Sequence, residues 1–249
     1  MAYSYEHNLQ INSRDVDGQG YCRVSALLGH LQEAATQAAE QGGFGREVLL
    51  QRYGAFWMMT RVWFQLERPL RWGEEVTIHT WHRGGKGAVS YRDYDILVDG
   101  QLVGEGVAAW VFAELSSRKL LKISNLEEMT GTDGGALCKS RTLSKLRRPE
   151  PLRETERRPM RYSDTDINGN VNNTRSADFA CDAVGMERAE KGTFVSSMQI
   201  GYLAECRPGE ILSIQIGQRE DDTYICGLDE SGKAKFEAAL QFGHLLSEK

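Results

Sequence analysis

The sequence predicts an α+β protein made of two similar halves, each with a polar loop, a long helix and about four antiparallel strands. A segment rich in Asp, Gly and Asn occurs twice at a spacing of 149 residues, which aligns Asp15 and Asp17 with Asp164 and Asp166. Each copy leads into apolar residues at helical spacing. Runs of β-branched and aromatic residues then follow, separated by turn residues, as is typical of antiparallel strands. The same order in both halves indicates a duplicated domain.

In the first half, the predicted helix begins near Val24 and ends before Gly42. Strands are predicted within residues 56–84, where aromatic and β-branched residues are broken by a Pro/Gly turn. A hairpin is expected next, because Asp99 and Gly100 form a dipeptide that favours a two-residue turn.

The second half repeats this plan. Its predicted helix ends at Gly185, and its strands lie within residues 194–220. A further hairpin is expected about Ser231 and Gly232. The domain boundaries that follow are residues 1–125 for the first half, 126–156 for a linker and 157–249 for the second half.

The composition is that of a soluble globular protein. Of the 249 residues, 41% are hydrophobic and 26% are charged, which are ordinary proportions. A net charge of −5 argues against binding to nucleic acid by bulk charge. No apolar run approaches the length of a membrane span, so no membrane association is expected. The first residues resemble neither a signal nor a transit peptide, which predicts a cytoplasmic location.

The cysteine and histidine spacings predict no metal site and no cofactor. The five cysteines show no CxxC pair, and the five histidines show no HxxxH or HExxH pair. Reduced, mostly buried thiols are expected in such a chain. The cysteines are Cys22, Cys138, Cys181, Cys206 and Cys226, and the histidines are His7, His30, His79, His82 and His244.

The linker carries a concentration of positive charge. Between residues 139 and 161 there are nine Lys or Arg and three Glu, a local charge of +6 in a chain of net charge −5. Two interpretations are open: the segment attracts an acidic partner, or it is a solvated linker that its own charge keeps extended. The candidate partner-binding residues are Arg141, Lys145, Arg147 and Arg148.

The densest polar motif is DTDINGNVNN at residues 164–173. Asn and Asp before a helix are favoured as turn and capping residues, which gives a structural interpretation. Five Asn or Asp among the last eight residues exceed what capping requires, which favours a functional site. These five residues are Asp166, Asn168, Asn170, Asn172 and Asn173.

Asp166, Asn168, Val171 and the Asn pair, followed by Glu205-Cys206, resemble the motif of the acyl-ACP thioesterase family. WMMTR at residues 57–61 and WGEEVTIHTW at 72–81 extend the similarity to nearly the whole chain. The resemblance implies a tandem, or double, hot-dog fold with two long helices, each wrapped by an antiparallel sheet. It also implies hydrolysis of acyl carrier protein thioesters.

The resemblance also implies roles for the motif residues. Glu205 is the expected general base for water, and Asn168 the donor that binds the thioester carbonyl or holds the water. Asp166 is expected to fix the loop and the side chain at 170 through hydrogen bonds. Backbone N–H groups near Val171 are expected to stabilise the oxyanion. The alternative for Glu205 is a rim carboxylate paired with Arg207. The expected catalytic residues are Asp166, Asn168, Asn170 and Glu205, and the substrate-binding residues are Val171, Asn172, Asn173, Cys206, Trp57 and Met59.

Two positions depart from the family motif: Asn170 stands in place of His, and Ser176 in place of an aromatic residue. A carboxamide cannot exchange a proton near neutral pH, so the exchange predicts impaired or abolished hydrolysis. Three explanations are open: a deliberately inactivated variant, a natural paralogue that binds without cleaving, or replacement by another histidine such as His79 or His82. Ser176 leaves a cavity or widens the site.

The resemblance makes acyl carrier protein the expected partner, with the first half supplying the acyl-chain pocket around Trp57 and Met59. Alternative functions are a non-catalytic acyl-thioester binding protein and an acyl-CoA thioesterase. A hot-dog dehydratase is disfavoured because its chemistry needs a histidine in the site. No nucleic-acid or membrane partner is expected, and the pseudo-dimeric halves work as a monomer or as a homodimer.

Overall fold

The computed structural model describes residues 4–122 and 141–245, and these residues form two compact units. None of the helices in these two ranges has the length and apolar character needed to cross a bilayer. Each unit draws on separate stretches of the sequence. Unit 1 comprises Met1–Ile11, Gly29–Leu66 and Gly73–Leu143, and unit 2 comprises Asn12–Leu28, Glu67–Trp72 and Ser144–Lys249.

Unit 1 is an antiparallel sheet with two helices. Its strands run in the order β1-β3-β4-β5-β2, and the short β6 pairs with β5. The helix α1 begins in the first stretch of unit 2 and continues through unit 1. The elements are β1 (Ser4–Gln10), α1 (Val24–Gln41), α2 (Arg46–Tyr53), β2 (Ala55–Leu66), β3 (Glu75–Lys86), β4 (Val89–Val98), β5 (Gln101–Glu114) and β6 (Leu120–Leu121).

Unit 2 repeats the same topology. Its strand order, β8-β11-β10-β9-β7, matches β2-β5-β4-β3-β1 of unit 1 strand for strand. The elements are β7 (Arg153–Pro159), α3 (Arg175–Val184), β8 (Thr193–Tyr202), β9 (Ile211–Gln218), β10 (Thr223–Leu228) and β11 (Ala234–His244). The predicted α+β class and the duplication are therefore confirmed.

The apolar stripe of α1 is buried as its spacing predicts. Leu31 is only 1% exposed, and it approaches the sheet of unit 1 at Gly106. A Cβ at Gly106 would lie 3.1 Å from the Trp63 carbonyl oxygen and 3.7 Å from Leu31 Cδ1. The missing side chain on β5 thus lets helix and sheet pack closely.

The second helix is shorter than the long helix predicted. It has ten residues, because a turn at Asn172 and Thr174 precedes its first residue, Arg175, and the left-handed Gly185 ends it. The Asp99-Gly100 turn is confirmed: both residues have positive φ, 51° and 73°, as a two-residue hairpin turn needs.

Three strands, β1, β6 and β7, and the helix α2 go beyond the prediction. β1 and β7 each pair with a single strand within their own units, and β7 has the charged sequence RETERRP. Charged residues are common on such strands but obscure the alternating apolar pattern by which strands are predicted. β7 begins at Arg153, within the stretch interpreted as a linker. The boundaries at residues 125 and 156 remain a prediction.

The described part of the predicted linker is anchored by apolar contacts. Leu143 is buried against Trp63 in unit 1, and Leu146 packs against Tyr224 and Cys226 in unit 2. The Leu146 N–H donates to the buried Glu237 carboxylate at 2.8 Å. These contacts, rather than charge repulsion alone, hold residues 143–146 in place. Residues 126–140, which include Cys138, lie outside the described residues.

Candidate active site

Two loops with the same backbone hydrogen bonds carry the repeated Asp/Gly segments. The first loop is residues 12–23 and the second loop is residues 161–172. In the second loop, the Asp166 N–H donates to the Asn170 carbonyl at 2.9 Å, and the Gly169 N–H donates to the Asp166 carbonyl at 3.0 Å. The first loop has the same two bonds, from Asp17 to Tyr21 at 2.9 Å and from Gly20 to Asp17 at 3.0 Å. The second loop is thus a copy of the first, with different side chains.

A buried aspartate anchors each loop. Asp164 is 7% exposed, and its carboxylate accepts hydrogen bonds from the Arg161 N–H at 2.9 Å and from Arg175 Nε at 3.1 Å. Asp15 accepts the corresponding bond from the Asn12 N–H at 2.9 Å. Asp164 and Arg175 were not predicted as site residues, although the repeat already aligned Asp164 with Asp15.

Asp166 shapes the tip of the second loop. Its Oδ1 accepts the Asn168 N–H at 2.8 Å, which forms a turn closed by the side chain, and Gly169 follows with φ of 74°. This turn presents Asn168 and Asn170 two residues apart. Asp166 therefore holds the loop, which is the structural part of its expected role.

The second loop and the Glu205-Cys206 pair are joined by a backbone hydrogen bond. The Val171 N–H donates to the Cys206 carbonyl oxygen at 2.8 Å, and the first loop has the same bond between Cys22 and Leu70, also at 2.8 Å. This contact brings together two parts of the motif that lie about thirty-five residues apart in the sequence. Glu205, half-buried, thus lies next to the segment that contacts the second loop.

A lysine holds the segment that carries Glu205. Lys235 Nζ donates to the Glu205 carbonyl oxygen at 3.0 Å and forms an ion pair with Glu210 Oε2 at 2.7 Å. The Lys235 carbonyl in turn accepts the N–H groups of Leu203 and Ala204. Glu210 was visible in the sequence only through the repeated Gly-Glu pairs at 73–74 and 209–210, and Lys235 had no local signal.

Cys206 is a neutral thiol at physiological pH. Burial, followed by the nearby Glu210 carboxylate, raises the pKa of Cys206 to about 11. A thiol nucleophile needs the opposite shift. The placement of Cys206 as a neighbour in the site, and not as a nucleophile, is consistent with this chemistry.

The expected oxyanion donors near Val171 are already engaged. The Val171 N–H is bonded to Cys206, and the Asn172 N–H donates to the Asp164 carbonyl at 2.7 Å. Asn172 Oδ1 accepts both the N–H and the hydroxyl of Thr174, at 2.9 and 3.0 Å. The N–H groups of Val171 and Asn172 therefore close the loop, and the expectation that backbone N–H groups near Val171 stabilise the oxyanion stays a prediction. Asn173 is half-buried, and its carbonyl accepts the Ser176 N–H at 3.2 Å.

The remaining predicted site residues lie elsewhere in the fold. Trp57 and Met59 are half-buried on β2 of unit 1, where the Trp57 ring packs 5.2 Å from that of Phe112. The four basic residues of the predicted partner surface are exposed. Of these, Arg141 belongs to unit 1 and stacks on the Trp63 ring at 3.6 Å, whereas Lys145, Arg147 and Arg148 belong to unit 2.

The two histidines considered as substitutes for the motif histidine lie on β3 of unit 1. His82 Nε2 is 2.6 Å from the Ser90 hydroxyl, and burial, with a smaller contribution from Arg92, lowers the pKa of His82 to about 4. His79 Nδ1 lies 3.9 Å from the Asp95 carboxylate. His82 is thus a neutral, hydrogen-bonded group of unit 1.

Comparison with known proteins identifies the family. The acyl-ACP thioesterase N-terminal domain matches residues 2–130, and the C-terminal domain of the same family matches residues 150–248. The chain belongs to the acyl-ACP thioesterase family. The N-terminal and C-terminal domains of the family follow each other along the chain, in agreement with its duplicated topology.

Plant relatives show the same similarity at low identity. A chloroplastic dodecanoyl-[acyl-carrier-protein] hydrolase of Cinnamomum camphora is 25% identical over 225 residues, which is 84% of this chain. A chloroplastic acyl-[acyl-carrier-protein] hydrolase of Cuphea viscosissima is 24% identical over 259 residues, with 97% of this chain covered. The chain spans 58% of the length of both relatives.

Solved structures confirm the tandem hot-dog fold. An acyl-ACP thioesterase from Bacteroides thetaiotaomicron matches 97% of this chain and 98% of its own with a TM-score of 0.80 at 19% identity. The 12:0-ACP thioesterase from Umbellularia californica matches 98% of this chain and 99% of its own, with a TM-score of 0.82 at 18% identity. The fold of the family is therefore retained although most residues differ.

Proposed function

We propose that this chain is an acyl-ACP thioester hydrolase that releases free fatty acid, with turnover reduced by Asn170. The observation that carries the proposal is the 2.8 Å hydrogen bond from the Val171 N–H to the Cys206 carbonyl. This bond supports a single site made of the second loop and Glu205. Membership of the acyl-ACP thioesterase family supports the choice of substrate.

The proposed reaction uses side chains rather than the engaged backbone N–H groups. The Glu205 carboxylate takes a proton from water as the water oxygen attacks the thioester carbonyl carbon. The Asn168 amide donates to the oxygen that becomes negatively charged. When the carbon–sulfur bond breaks, Glu205 returns the proton to the departing phosphopantetheine thiol. Acid, thiol and unchanged enzyme are then the products.

Asn170 sets the proposed limit on turnover. Its backbone carbonyl closes the loop through the Asp166 N–H at 2.9 Å, which any residue at this position provides. Its side chain, however, cannot carry a proton near neutral pH, so Glu205 alone both removes and returns the proton, whereas a histidine at 170 would share these transfers. We expect the turnover rate to be lower than that of an Asn170→His variant by a factor on the order of 10²–10⁴, which is the contribution typical of a general acid or base.

A non-catalytic acyl-thioester binding protein is the second candidate, and Asn170 is the observation that favours it. In that function, the second loop binds the thioester, and no group at residue 170 assists cleavage. An acyl-CoA thioesterase differs only in the carrier of the same phosphopantetheine arm.

The test compares the unmodified chain with Asn170→His on a panel of acyl-ACPs. A gain of about 10²-fold or more supports the hydrolase, and Asn170→His with Glu205→Gln is the control that should lose the gain. Binding of an acyl-ACP without hydrolysis by either protein favours the binding protein and argues against Glu205 as the base. Competition between acyl-ACP and acyl-CoA of the same chain length identifies the preferred donor.

The proposal includes acyl carrier protein as partner, a cytoplasmic location and a monomer or homodimer as the working state. Arg141 is a poor probe of carrier binding, because Arg141→Glu would also remove the stack on Trp63. Lys145→Glu with Arg147→Glu and Arg148→Glu changes three exposed side chains instead. Weaker binding with a flatter salt dependence supports the basic segment, and unchanged binding contradicts it.

The acyl-chain pocket in unit 1 is also part of the proposal. Trp57 and Met59 are half-buried, and Trp57 packs against an apolar cluster of Leu49, Ala55 and Phe112 that suits an alkyl chain. Met59→Trp should shift the preference among acyl lengths towards shorter chains without changing the Asn170→His gain. An unchanged length preference would place the pocket elsewhere.

A further inference from the structure

The second loop carries two apolar side chains that are almost fully exposed. Tyr162 is 90% exposed and Ile167 is 92% exposed, the highest values for large apolar side chains within residues 4–122 and 141–245. Ile167 lies directly between Asp166 and Asn168 at the tip of the loop. Single exposed apolar residues are ordinary on protein surfaces, so the comparison with the first loop decides whether these two have a function.

The first loop shows that the fold does not require these side chains. The two loops share their backbone hydrogen bonds, yet the residues of the first loop that correspond to Tyr162 and Ile167 are Ser13 and Gly18. Neither apolar residue is therefore needed to form the loop. Their presence on one copy only, the copy with the catalytic motif, points to a contact made by that copy.

Two exposed arginines belong to the second loop and to the segment that it contacts. Arg161 begins the second loop, and Arg207 follows Cys206, whose carbonyl binds the loop. Both side chains are exposed. In the first loop, Asn12 stands in place of Arg161. Arg161 and Arg207 thus add positive charge to a loop that also carries the half-buried Asp166. Together with the exposed Tyr162 and Ile167, they complement an acidic protein that presents apolar side chains.

We propose that Tyr162 and Ile167, together with Arg161 and Arg207, form a contact surface for the protein part of acyl-ACP, in addition to the basic segment at Lys145, Arg147 and Arg148. The inference rests on the proposed function and adds to it the place where the carrier protein, as distinct from its acyl arm, makes contact. Docking on the loop that carries Asn168 brings the thioester to the side chains proposed to cleave it. Tyr162 and Ile167 are recognition residues in this proposal and take no part in the chemistry.

The experiment measures binding of acyl-ACP in which an amide replaces the thioester, so that nothing is hydrolysed. The test variant combines Tyr162→Ser, which introduces the residue found in the first loop, with Ile167→Ser. The matched control is Trp72→Ser: Trp72 is 66% exposed and its N–H donates to Gly20 of the first loop at 3.0 Å. The same acyl group as a pantetheine amide, without the carrier protein, is the second probe.

We expect the double variant to bind the acyl-ACP amide on the order of tenfold more weakly, as for apolar residues at the centre of an interface. Trp72→Ser should bind it as the unmodified chain does. Binding of the pantetheine amide should be the same for all three proteins. Because the exposed side chains make little packing contact, circular dichroism and thermal unfolding should match the unmodified chain.

Other outcomes overturn the proposal in distinguishable ways. Equal affinity of the double variant and the unmodified chain for the acyl-ACP amide overturns this docking surface and leaves the proposed function intact. Equal weakening for both probes places the two residues in the thioester site. Failure of the unmodified chain to bind either probe overturns the proposed function as well. If the unmodified chain sediments with phosphatidylglycerol vesicles and the double variant does not, the surface binds a membrane instead. If the double variant changes the oligomeric mass of the protein, the surface binds a second copy of the chain instead.

Discussion

The ammonium group of Lys235 donates a hydrogen bond of 3.0 Å to the backbone carbonyl oxygen of Glu205 and lies 2.7 Å from the Glu210 carboxylate. Burial lowers the pKa of Lys235, but the hydrogen bond and charge of Glu210 outweigh that effect and raise the pKa above its ordinary value. Lys235 therefore stays charged. It lies on β11, thirty residues from Glu205 in the sequence, and its hydrogen bond holds the segment that carries Glu205.

Replacing Lys235 by Met should destabilise the protein by about 1–3 kcal/mol, because the partly buried Glu210 carboxylate loses its partner. Lys235→Arg should retain part of this stability. Lys233→Met is the control, since Lys233 is exposed in the same hairpin and should change stability by less than about 0.5 kcal/mol. Urea unfolding measures all three, and equal midpoints for Lys235→Met and Lys233→Met would contradict the role of Lys235.

Asp164→Asn should cost about 1–3 kcal/mol of stability, because its buried carboxylate binds the Arg175 guanidinium and the Arg161 N–H. A double-mutant cycle with Arg175→Met should show a coupling of more than about 0.5 kcal/mol. Asp182→Asn is the matched control: Asp182 pairs with Arg158 at 2.8 Å but is 54% exposed, and such pairs contribute little. Additive effects of Asp164→Asn and Arg175→Met would show that the pair is not coupled.

His82 should lower the free energy of unfolding in mild acid. Its pKa is about 4 in the folded protein against 6.5 in the unfolded chain, so the unfolded state binds more protons between these values. The stability that His82 contributes is complete above pH 6.5 and falls by up to about 3 kcal/mol as the pH drops towards 4. Unfolding free energies of the unmodified chain and of His82→Gln should therefore converge as the pH falls, and a constant difference would contradict this.

Asp93 opposes His82 in the same pH range. It is fully buried, and burial raises its pKa to about 7 although Arg83 acts in the opposite direction. The unfolded state then binds fewer protons than the folded state between pH 3.8 and 7, so the contribution of Asp93 falls as the pH rises. In the unmodified chain the two slopes partly cancel. Asp93→Asn should consequently steepen the loss of stability in acid, and an unchanged pH profile would exclude this assignment.

The Gln19 side chain stabilises unit 2 through two hydrogen bonds. Its Oε1 accepts the Gly192 N–H at 2.8 Å and its Nε2 donates to the Thr193 carbonyl at 3.4 Å. Gln19→Ala should cost about 1–2 kcal/mol and speed hydrogen exchange at the Gly192 amide. Gln215→Ala, which removes a bond to the nearby Ser213 hydroxyl, is the control that should leave that amide protected.

The duplication and the motif were determined by the sequence itself, because both depend on local patterns. The apolar spacing of α1, the positive-φ turn at Asp99-Gly100 and the repeated Asp/Gly segments are each properties of a short stretch of chain. The strands β1 and β7 escaped prediction because polar residues in β1 and charged residues in β7 mask their alternation. The second helix proved short because the polar turn before Arg175 uses residues that a longer helix would have included.

The tertiary structure decided which groups of the site are available for chemistry. Only folding shows that the N–H groups of Val171 and Asn172 are bonded to Cys206 and Asp164, and that Lys235 holds the Glu205 segment. The bonds of Val171 and Lys235 join segments that are distant in sequence, and no spacing of residue types encodes any of the three. Exposure of Tyr162 and Ile167 is likewise a property of the folded loop, since an apolar residue in a sequence is expected to be buried until the fold leaves it uncovered.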